Sequence, residues 1–300
     1  RALDGGSRRS RHHSVQDRTH SKFKMTVSAF ISDARRRLEV LYPAEEARAM
    51  ALRVFTEVTA LAEHKYISEP EMELAAESVS KMERMIAELE TGRPLQYVLG
   101  YTEFAELKIR VSEGVLIPRP ETEEMVALAA EEMDAKGKES FNVLDICTGS
   151  GCIAWAFASL FPEAQVFGCD LFDDALKSAC KQRVKTLSGK PVFFWADLLG
   201  APPAGLPKFD LIISNPPYIM EKEKARMCKN VLDFEPSLAL FVPDEDPLVF
   251  YRRIASWTES LLADDGSIWL EINEQLGKQT AELFPGSELV QDLSGKARFV

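Results

Sequence analysis

Residues 143–153 read Val-Leu-Asp-Ile-Cys-Thr-Gly-Ser-Gly-Cys-Ile and indicate the fold of most of the chain. A short apolar strand contains Asp145, a tight turn of small residues follows it, and a helix begins after Gly151. Glycines in such a turn let a ligand approach the backbone, and the start of the helix offers free N–H groups. The spacing is not the dinucleotide pattern Gly-x-Gly-x-x-Gly, and no Gly-Lys-Ser/Thr follows as in a P-loop. The segment therefore predicts a strand–turn–helix ligand site of another kind.

Strands and helices alternate beyond this segment. Strands are predicted at 142–146, 165–169, 192–195, 209–214 and 267–272, and helices at about 121–136, 151–160, 173–187 and 247–263. This alternation is typical of β-α-β units on a parallel sheet. Two further strands, Ser287–Gln291 and Ala297–Val300, predict an antiparallel hairpin at one sheet edge. The predicted fold class is α/β, with a Rossmann-like, mostly parallel sheet.

The N-terminal part has a different character. Residues 27–91 are predicted to be wholly helical, because apolar residues recur there at three- and four-residue spacing. Residues 104–118 alternate in polarity around Ser112-Glu113-Gly114 and predict a β-hairpin linker. The predicted domains are thus a helical bundle at 25–103, the linker at 104–118 and the α/β domain at 119–300. Residues 1–24 are predicted to be a disordered tail or of non-native origin, with Met25 as the natural start; a basic arm is the alternative.

Charge and residue counts exclude several classes of function. The formal net charge is -11, and residues 25–300 alone carry 29 basic and 45 acidic side chains. An acidic body argues against broad binding to a nucleic-acid backbone, which needs clustered Lys and Arg. No apolar run approaches a membrane span, and five cysteines without a Cys-x-x-Cys pair indicate a reducing cytoplasm. His64 is the one histidine beyond the tail, which disfavours a catalytic triad and excludes a histidine-rich metal cluster.

Two aspartates are placed where a parallel sheet binds ligands. Asp170 ends the second predicted strand, 25 residues after Asp145, at a position that typically accepts from two ribose hydroxyls. The alternative for Asp170 is the N-cap of a helix. Asp197 follows the third strand and is predicted to accept from an adenine amino group, with a solvent-facing turn as the alternative.

A second motif, Leu-Ile-Ile-Ser-Asn-Pro-Pro-Tyr, occupies residues 211–218. Three apolar residues predict a buried strand, which stops at the two prolines because neither has an N–H for a ladder. The stiff segment presents the Asn215 carboxamide, proline carbonyls and the Tyr218 ring. We expect the Asn215 side-chain oxygen and a carbonyl of the Pro216-Pro217 segment each to accept one N–H of a planar –NH2 group, with the Tyr218 ring packed on its flat face. The alternative is an ordinary strand-to-loop turn with a tyrosine on top.

In combination these motifs resemble class I S-adenosylmethionine-dependent methyltransferases of the HemK/PrmC family, the release-factor glutamine N5-methyltransferases. The resemblance extends over residues 27–300. It includes four further segments: Arg-Pro-Leu-Gln-Tyr-Val-Leu-Gly at 93–100, Val-Leu-Ile-Pro-Arg-Pro-Glu-Thr-Glu at 115–123, Phe-Glu-Pro at 234–236 and Asp-Leu-Ser-Gly-Lys at 292–296.

The resemblance implies S-adenosylmethionine as cofactor, S-adenosylhomocysteine as product, no metal, and the glutamine of a release factor Gly-Gly-Gln loop as acceptor. It implies a set of cofactor-binding residues: Asp145, Thr148, Gly149, Gly151, Asp170, Asp197 and Asn215. It assigns catalysis to Asn215, Pro216 and Tyr218, and acceptor binding to the whole 215–218 segment. Because all the catalytic motifs lie beyond residue 118, the separate helical bundle is expected to dock the substrate. A cytoplasmic protein that does not bind nucleic acid or membrane directly is expected.

One residue departs from the family pattern, and two other functions stay open. Cys147 stands where the family usually has the first glycine of its turn, so cofactor affinity is expected to fall slightly without being lost. An adenine-N6 nucleic-acid methyltransferase would flip its base onto the same tetrapeptide, although no basic face or target-reading domain is evident. A cofactor-binding scaffold without turnover is the other alternative, against which the intact Asn215 and Tyr218 argue.

Overall fold

The computed structural model describes residues 24–186 and 189–300. The predicted tail at 1–24 therefore lies outside the described residues, apart from Lys24. The helices are α1 Val27–Leu38, α2 Ala44–Thr59, α3 Lys65–Ser68, α4 Ala76–Leu89, α5 Leu95–Leu99, α6 Pro120–Lys136, α7 Cys152–Leu160, α8 Asp173–Cys180, α9 Lys229–Phe234, α10 Val249–Leu261 and α11 Gly277–Ala281. The strands are β1 Tyr101–Phe104, β2 Leu107–Arg110, β3 Asn142–Ile146, β4 Gln165–Asp170, β5 Val192–Trp195, β6 Phe209–Ser214, β7 Ile219–Met220, β8 Phe241–Val242, β9 Leu262–Leu270, β10 Val290–Gln291 and β11 Ala297–Phe299. Short 3₁₀ helices cover Glu221–Arg226, Ser237–Ala239 and Glu274–Leu276.

The centre of the α/β domain is a five-stranded sheet in the order β5-β4-β3-β6-β9. Every pair in it is parallel, which confirms the predicted fold class. Ile146 at the end of β3 lies opposite Cys169 on β4 and Ser214 on β6, so the three central strands end together. The carboxyl ends of all five strands therefore lie along one edge of the sheet, where open α/β sheets bind their ligands.

Both faces of the sheet are covered, as the continuous apolar runs of its strands require. On β6, Leu211 and Ile213 belong to the core that contains α6 and α7 residues, whereas Ile212 belongs to the opposite core with α10. Trp155 from α7 and Trp257 from α10 are both fully buried, one in each core. This two-sided burial makes the strand ends rigid supports for the loops that follow them.

The N-terminal helices form a unit with a core of its own, built on α1, α2 and α4. The prediction that residues 27–91 are wholly helical is wrong at the connections between these helices, of which 69–75 is the longest. There the Val27 N–H donates to the Met72 carbonyl at 3.0 Å, and Leu74 donates to the Met25 carbonyl at 2.9 Å. Pro70 contributes to this difference, because it has no N–H and disfavours helix in the residue before it.

The hairpin between the two units exists, but its predicted bounds, 104–118, are wrong. It consists of β1 and β2, and its turn is Ala105-Glu106 rather than Ser112-Glu113-Gly114. Both turn residues have positive φ, 48° and 62°, although neither is the glycine or asparagine that usually marks such a turn. Phe104 and Ile109 of the hairpin are buried in the α7-side core, so the hairpin packs on the α/β domain.

Three further predicted bounds in the α/β domain differ from the structure. Helix α8 ends at Cys180 rather than at 187, because the Gln182 side chain instead bonds both backbone groups of Arg110, at 2.8 and 2.9 Å. Strand β9 covers 262–270 rather than 267–272, with an irregular register opposite Phe209 and Leu211. The predicted terminal hairpin is antiparallel but shorter, and its Phe299 bridges to Glu271 beside β9.

No helix among the described residues is both long and apolar enough to cross a membrane.

The turn after β3 contains Gly149 and Gly151, and the stability cost of replacing each of them by alanine can be compared. A Cβ on Gly151, where φ is +79°, would lie 2.9 Å from the Ala179 Cβ and 3.1 Å from Phe193. A Cβ on Gly149, at φ +55°, would meet open space. We expect Gly149→Ala to lower the free energy of unfolding by about 1–2 kcal/mol from backbone strain alone. Gly151→Ala should lose a further 1–3 kcal/mol or so, because overpacking adds to the strain.

Urea denaturation of the two variants and the wild type, with slopes compared, measures both losses. Equal losses in Gly149→Ala and Gly151→Ala would contradict the packing role of Gly151.

Candidate active site

A cavity of about 600 Å³ lies at the carboxyl edge of the sheet. Its volume is in the range of small-molecule sites. Six predicted site residues line it: Thr148, Gly149, Asp170, Asp197, Asn215 and Pro217. They come from the loops or ends of four different strands, so the parallel sheet brings together residues that are up to 69 positions apart in the sequence.

Asp170, the last residue of β4, is held by the turn after β3. Its Oδ2 accepts from the Gly149 N–H at 2.9 Å and its Oδ1 accepts from the Phe172 N–H at 3.0 Å. Burial raises the pKa of Asp170, while the two backbone donors act in the opposite direction. The alternative assignment as a helix N-cap is not observed, because Phe172 occupies that position of α8. Asp170 is thus a fixed acceptor in the cavity wall.

Asp145 and Gly151, both predicted to bind cofactor, are not among the residues that line the cavity. Asp145 is fully buried, and its Oδ2 accepts from the Thr148 hydroxyl and from the Ala154 N–H at 3.2 Å. Its Oδ1 has no hydrogen-bond partner among the described residues. Desolvation by burial raises the pKa of Asp145 to about 7. Both residues support the turn from behind, since Gly151 is the N-cap of α7.

Asp197 lies in the loop after β5 and is half-buried in the cavity wall. Its Oδ1 accepts from the Leu199 N–H at 2.9 Å, a local turn contact two residues on. Asp197 therefore makes the hydrogen bond of a local turn, as its alternative assignment predicted. It also lines the cavity, which a contact with adenine would need. Leu198 and Leu199 line the same part of the wall and give it an apolar surface.

Asn215 follows β6 and lines the cavity directly. Its Nδ2 donates to the Thr122 Oγ1 at 2.9 Å, and Thr122 in turn donates to the Glu271 Oε2 at 2.6 Å. The Tyr218 hydroxyl donates to the other oxygen of the same carboxylate, Glu271 Oε1, at 2.7 Å. The first and last residues of the tetrapeptide are thereby connected through one buried acid.

The rest of the tetrapeptide is less exposed to the cavity than predicted. Pro216 is buried and, with Tyr218, is absent from the cavity lining, whereas Pro217 is part of it. Burial, with the nearby charge of Glu271, raises the pKa of Tyr218 well above its ordinary value, so the phenol stays protonated. Packing of the Tyr218 ring on an acceptor remains a prediction.

Sequence reasoning missed the groups that hold these residues in place. Glu271 is 1% exposed. The sequence signal that could have identified it is a single acidic residue directly after an apolar strand. Thr122 belongs to the quoted 115–123 segment but had no assigned role. Arg119 forms an ion pair with the buried Glu235 at 2.7 Å, and Glu235 also accepts from the Ile117 N–H. This ion pair joins the 115–123 segment to the 234–236 segment.

Cys147 adopts φ +60°, a left-handed conformation that favours glycine. Its side chain is half-buried and lines the cavity. Burial, together with the charge of Asp170, raises the pKa of the thiol well above its ordinary value. The side chain is therefore a neutral thiol, the less nucleophilic form of cysteine.

The hydrogen-bond acceptors and apolar surface at the cavity fit a nucleoside ligand of the S-adenosylmethionine type. Asp170 provides a carboxylate for vicinal hydroxyls, Asp197 with its apolar neighbours suits a purine edge, and the open space over Gly149 allows close approach to the backbone.

Comparisons with known proteins agree with this geometry. Residues 122–233 match the methyltransferase small domain, and residues 30–100 match the PrmC N-terminal domain. A release factor glutamine methyltransferase from Bacteroides thetaiotaomicron is 37% identical over 279 residues, covering 91% of this chain and 98% of that protein. One from Flavobacterium psychrophilum is 39% identical, covering 77% of this chain and 82% of that protein.

Among solved structures, a ribosomal protein L11 methylase from Lactobacillus delbrueckii subsp. bulgaricus is 20% identical with a TM-score of 0.38, covering 55% of this chain and 67% of that one. The extent and identity of the sequence matches decide the assignment: the chain belongs to the release factor glutamine methyltransferase family.

Proposed function

We propose that this protein transfers a methyl group from S-adenosylmethionine to the side-chain amide nitrogen of the glutamine in the Gly-Gly-Gln loop of peptide chain release factors. The observation that carries the proposal is the Asn215 carboxamide, which Thr122 holds at a cavity that Asp170 also lines. Family membership supports the choice of acceptor, and this geometry supports the choice of residues that would bind it.

Within the cavity we assign the cofactor to the ends of β3, β4 and β5. Asp170 would accept from the ribose hydroxyls and Asp197 from the adenine amino group. The backbone of Thr148 and Gly149 would border the remainder of the molecule, with Asp145 and Gly151 supporting that turn from behind. When bound, S-adenosylmethionine supplies a methyl group that its sulfonium charge already activates.

The protein's own task is to prepare the acceptor, because the lone pair of an amide nitrogen is delocalised into its carbonyl. We assign the two amide hydrogens to the Asn215 Oδ1 and the Pro216 carbonyl. These two acceptors orient the nitrogen and stabilise the positive charge that develops on it. The surplus proton leaves to water afterwards, so the reaction needs no histidine base.

We further assign docking of the protein substrate to the helical unit, residues 25–103. A second cavity, of about 730 Å³, lies between this unit and α9 and is lined by Glu46, Ala49 and Arg53 from α2. Arg119 lines both cavities, so the second lies beside the first at this residue. A surface next to the acceptor site is suited to the segments of a release factor that flank its glutamine loop.

The function is tested by incubating purified release factor with labelled S-adenosylmethionine and either the wild type or Asn215→Ala. We expect the wild type to label the Gly-Gly-Gln glutamine, and the variant to lose about 10²–10³ in rate because a preorganised contact at the reacting centre is gone. Cofactor affinity and unfolding temperature should change little. Labelling of DNA or RNA instead of release factor would replace the proposed substrate, and a fully active variant would remove Asn215 from catalysis.

Cofactor binding depends on Asp170 in this proposal. Asp170→Ala should weaken S-adenosylmethionine binding by about 1.5–3 kcal/mol, the typical range for hydrogen bonds to a charged acceptor. Asp173→Ala is the matched control, since Asp173 is exposed, lies in the first turn of α8 and is not part of the cavity wall. Titration calorimetry that finds the same affinity for both variants would remove Asp170 from the site.

Docking on the helical unit predicts a difference between two neighbouring glutamates. Glu45 and Glu46 are both exposed in the first turn of α2, but only Glu46 lines the second cavity. We expect Glu46→Lys to raise the KM for release factor several-fold, because a reversed charge disturbs the docking surface. Glu45→Lys should not, and neither variant should alter cofactor affinity. Steady-state kinetics with release factor as the varied substrate measures the difference, and equal KM values would contradict this docking surface.

A further inference from the structure

Four side chains form a continuous hydrogen-bonded path beneath the cavity: Asn215, Thr122, Glu271 and Tyr218. Thr122 and Glu271 are 2% and 1% exposed, so the middle of the path is closed to solvent. One helix and two strands position these residues: Thr122 lies on α6, Asn215 follows β6, and Glu271 follows β9. The path reaches the cavity at Asn215 and Thr122, which both line it.

The direction of each hydrogen bond in this path follows from its neighbour. An ionised carboxylate can only accept, so Glu271 takes one hydrogen from Thr122 and one from Tyr218. The single hydrogen of the Thr122 hydroxyl is thereby used, which leaves its oxygen as an acceptor toward Asn215. Only the Nδ2 side of the Asn215 carboxamide can donate to that oxygen. The Oδ1 is then left without a partner among the described residues, at a cavity-lining position.

Glu271, whose carboxylate sets these hydrogen-bond directions, has an anchored backbone. The backbone N–H of Glu271 donates to the Ser214 carbonyl at 3.0 Å, directly before Asn215 in the sequence. The Tyr251 hydroxyl donates to the Glu271 carbonyl at 3.0 Å from the opposite side. The backbone is therefore anchored, and the carboxylate cannot turn away without losing its hydrogen bonds from Thr122 and Tyr218.

We propose that Thr122 and Glu271 are positioning residues that fix the Asn215 carboxamide with its oxygen toward the acceptor, and that this makes the site select a group that donates N–H. The inference rests on the proposed function, since it explains why a glutamine amide would be accepted and the isosteric glutamate carboxylate refused. A carboxylate in the same place would meet the Asn215 Oδ1, another acceptor, with no hydrogen between them.

The test compares binding of two release factors, one with its native Gly-Gly-Gln loop and one carrying Gln→Glu in that loop. Their dissociation constants are measured by calorimetry in the presence of S-adenosylhomocysteine, for the wild type, Thr122→Val and Thr122→Ser. We expect the wild type to prefer the glutamine loop by about tenfold or more, because a mismatched polar pair is left unpaired in the other complex. Thr122→Val keeps the shape but removes the hydroxyl, so Asn215 is free to turn and the preference should fall to about threefold or less.

Thr122→Ser retains the hydroxyl and should restore the wild-type preference. A structural role alone would weaken both complexes equally, so an unchanged preference for the glutamine loop in Thr122→Val overturns the inference. A wild type that binds the glutamine and glutamate loops equally also overturns it. If Thr122→Val does not fold, Glu271→Gln decides: its amide no longer has to accept from Thr122, and a preference that stays at the wild-type value overturns the inference. Methylation of the native release factor by the wild type is assayed in parallel, and its absence would instead refute the proposed function.

Discussion

The parallel pairing of β3 with β4 and β6 is the constraint on which the site depends. Because Ile146, Cys169 and Ser214 lie in register, the loops that follow these three strands start at the same height. In the order β5-β4-β3-β6-β9, the strands that follow β3 in the chain first add on one side of it, as β4 and β5. The chain then returns to the other side of β3 for β6 and β9, so the strand order reverses at β3. A crevice opens at such a reversal. The proposed cofactor and acceptor sites lie on its two sides.

Buried acids perform most of the positioning at this crevice, and each does so at an electrostatic cost. Asp145, Asp170 and Glu271 are all at most 9% exposed, and burial raises the pKa of each. Each carboxylate is offset by hydrogen bonds from the loop it holds, such as Thr148 to Asp145 and Gly149 to Asp170. The same bonds that lower the cost of burial thereby fix the shape of the site.

The parts of this arrangement that the sequence could predict are those with a local signal. Apolar runs such as 209–214 identify strands, and two prolines after Asn215 identify a strand end, because these effects act within a few residues. The Ala105-Glu106 turn was missed, since it adopts positive φ without the usual turn residues. Glu271 was missed because its partners Thr122 and Tyr218 are 149 and 53 positions away, and no periodicity records such contacts. Spacing also could not tell that Asp145 points behind the turn rather than into the cavity.

Cys147 shows how the same framework tolerates a residue that the local backbone disfavours. A left-handed conformation costs an ordinary residue about 1–2 kcal/mol, and φ +60° at Cys147 lies in that region. The neighbouring backbone is held regardless, because the Thr148 N–H donates to the Cys169 carbonyl at 2.9 Å and Gly151 donates to the Thr148 carbonyl at 2.8 Å. The side chain also packs against the α10-side core, which offsets part of the strain. The turn is therefore held by its hydrogen bonds to β4 and α7, and Cys147 contributes its side chain to the cavity wall.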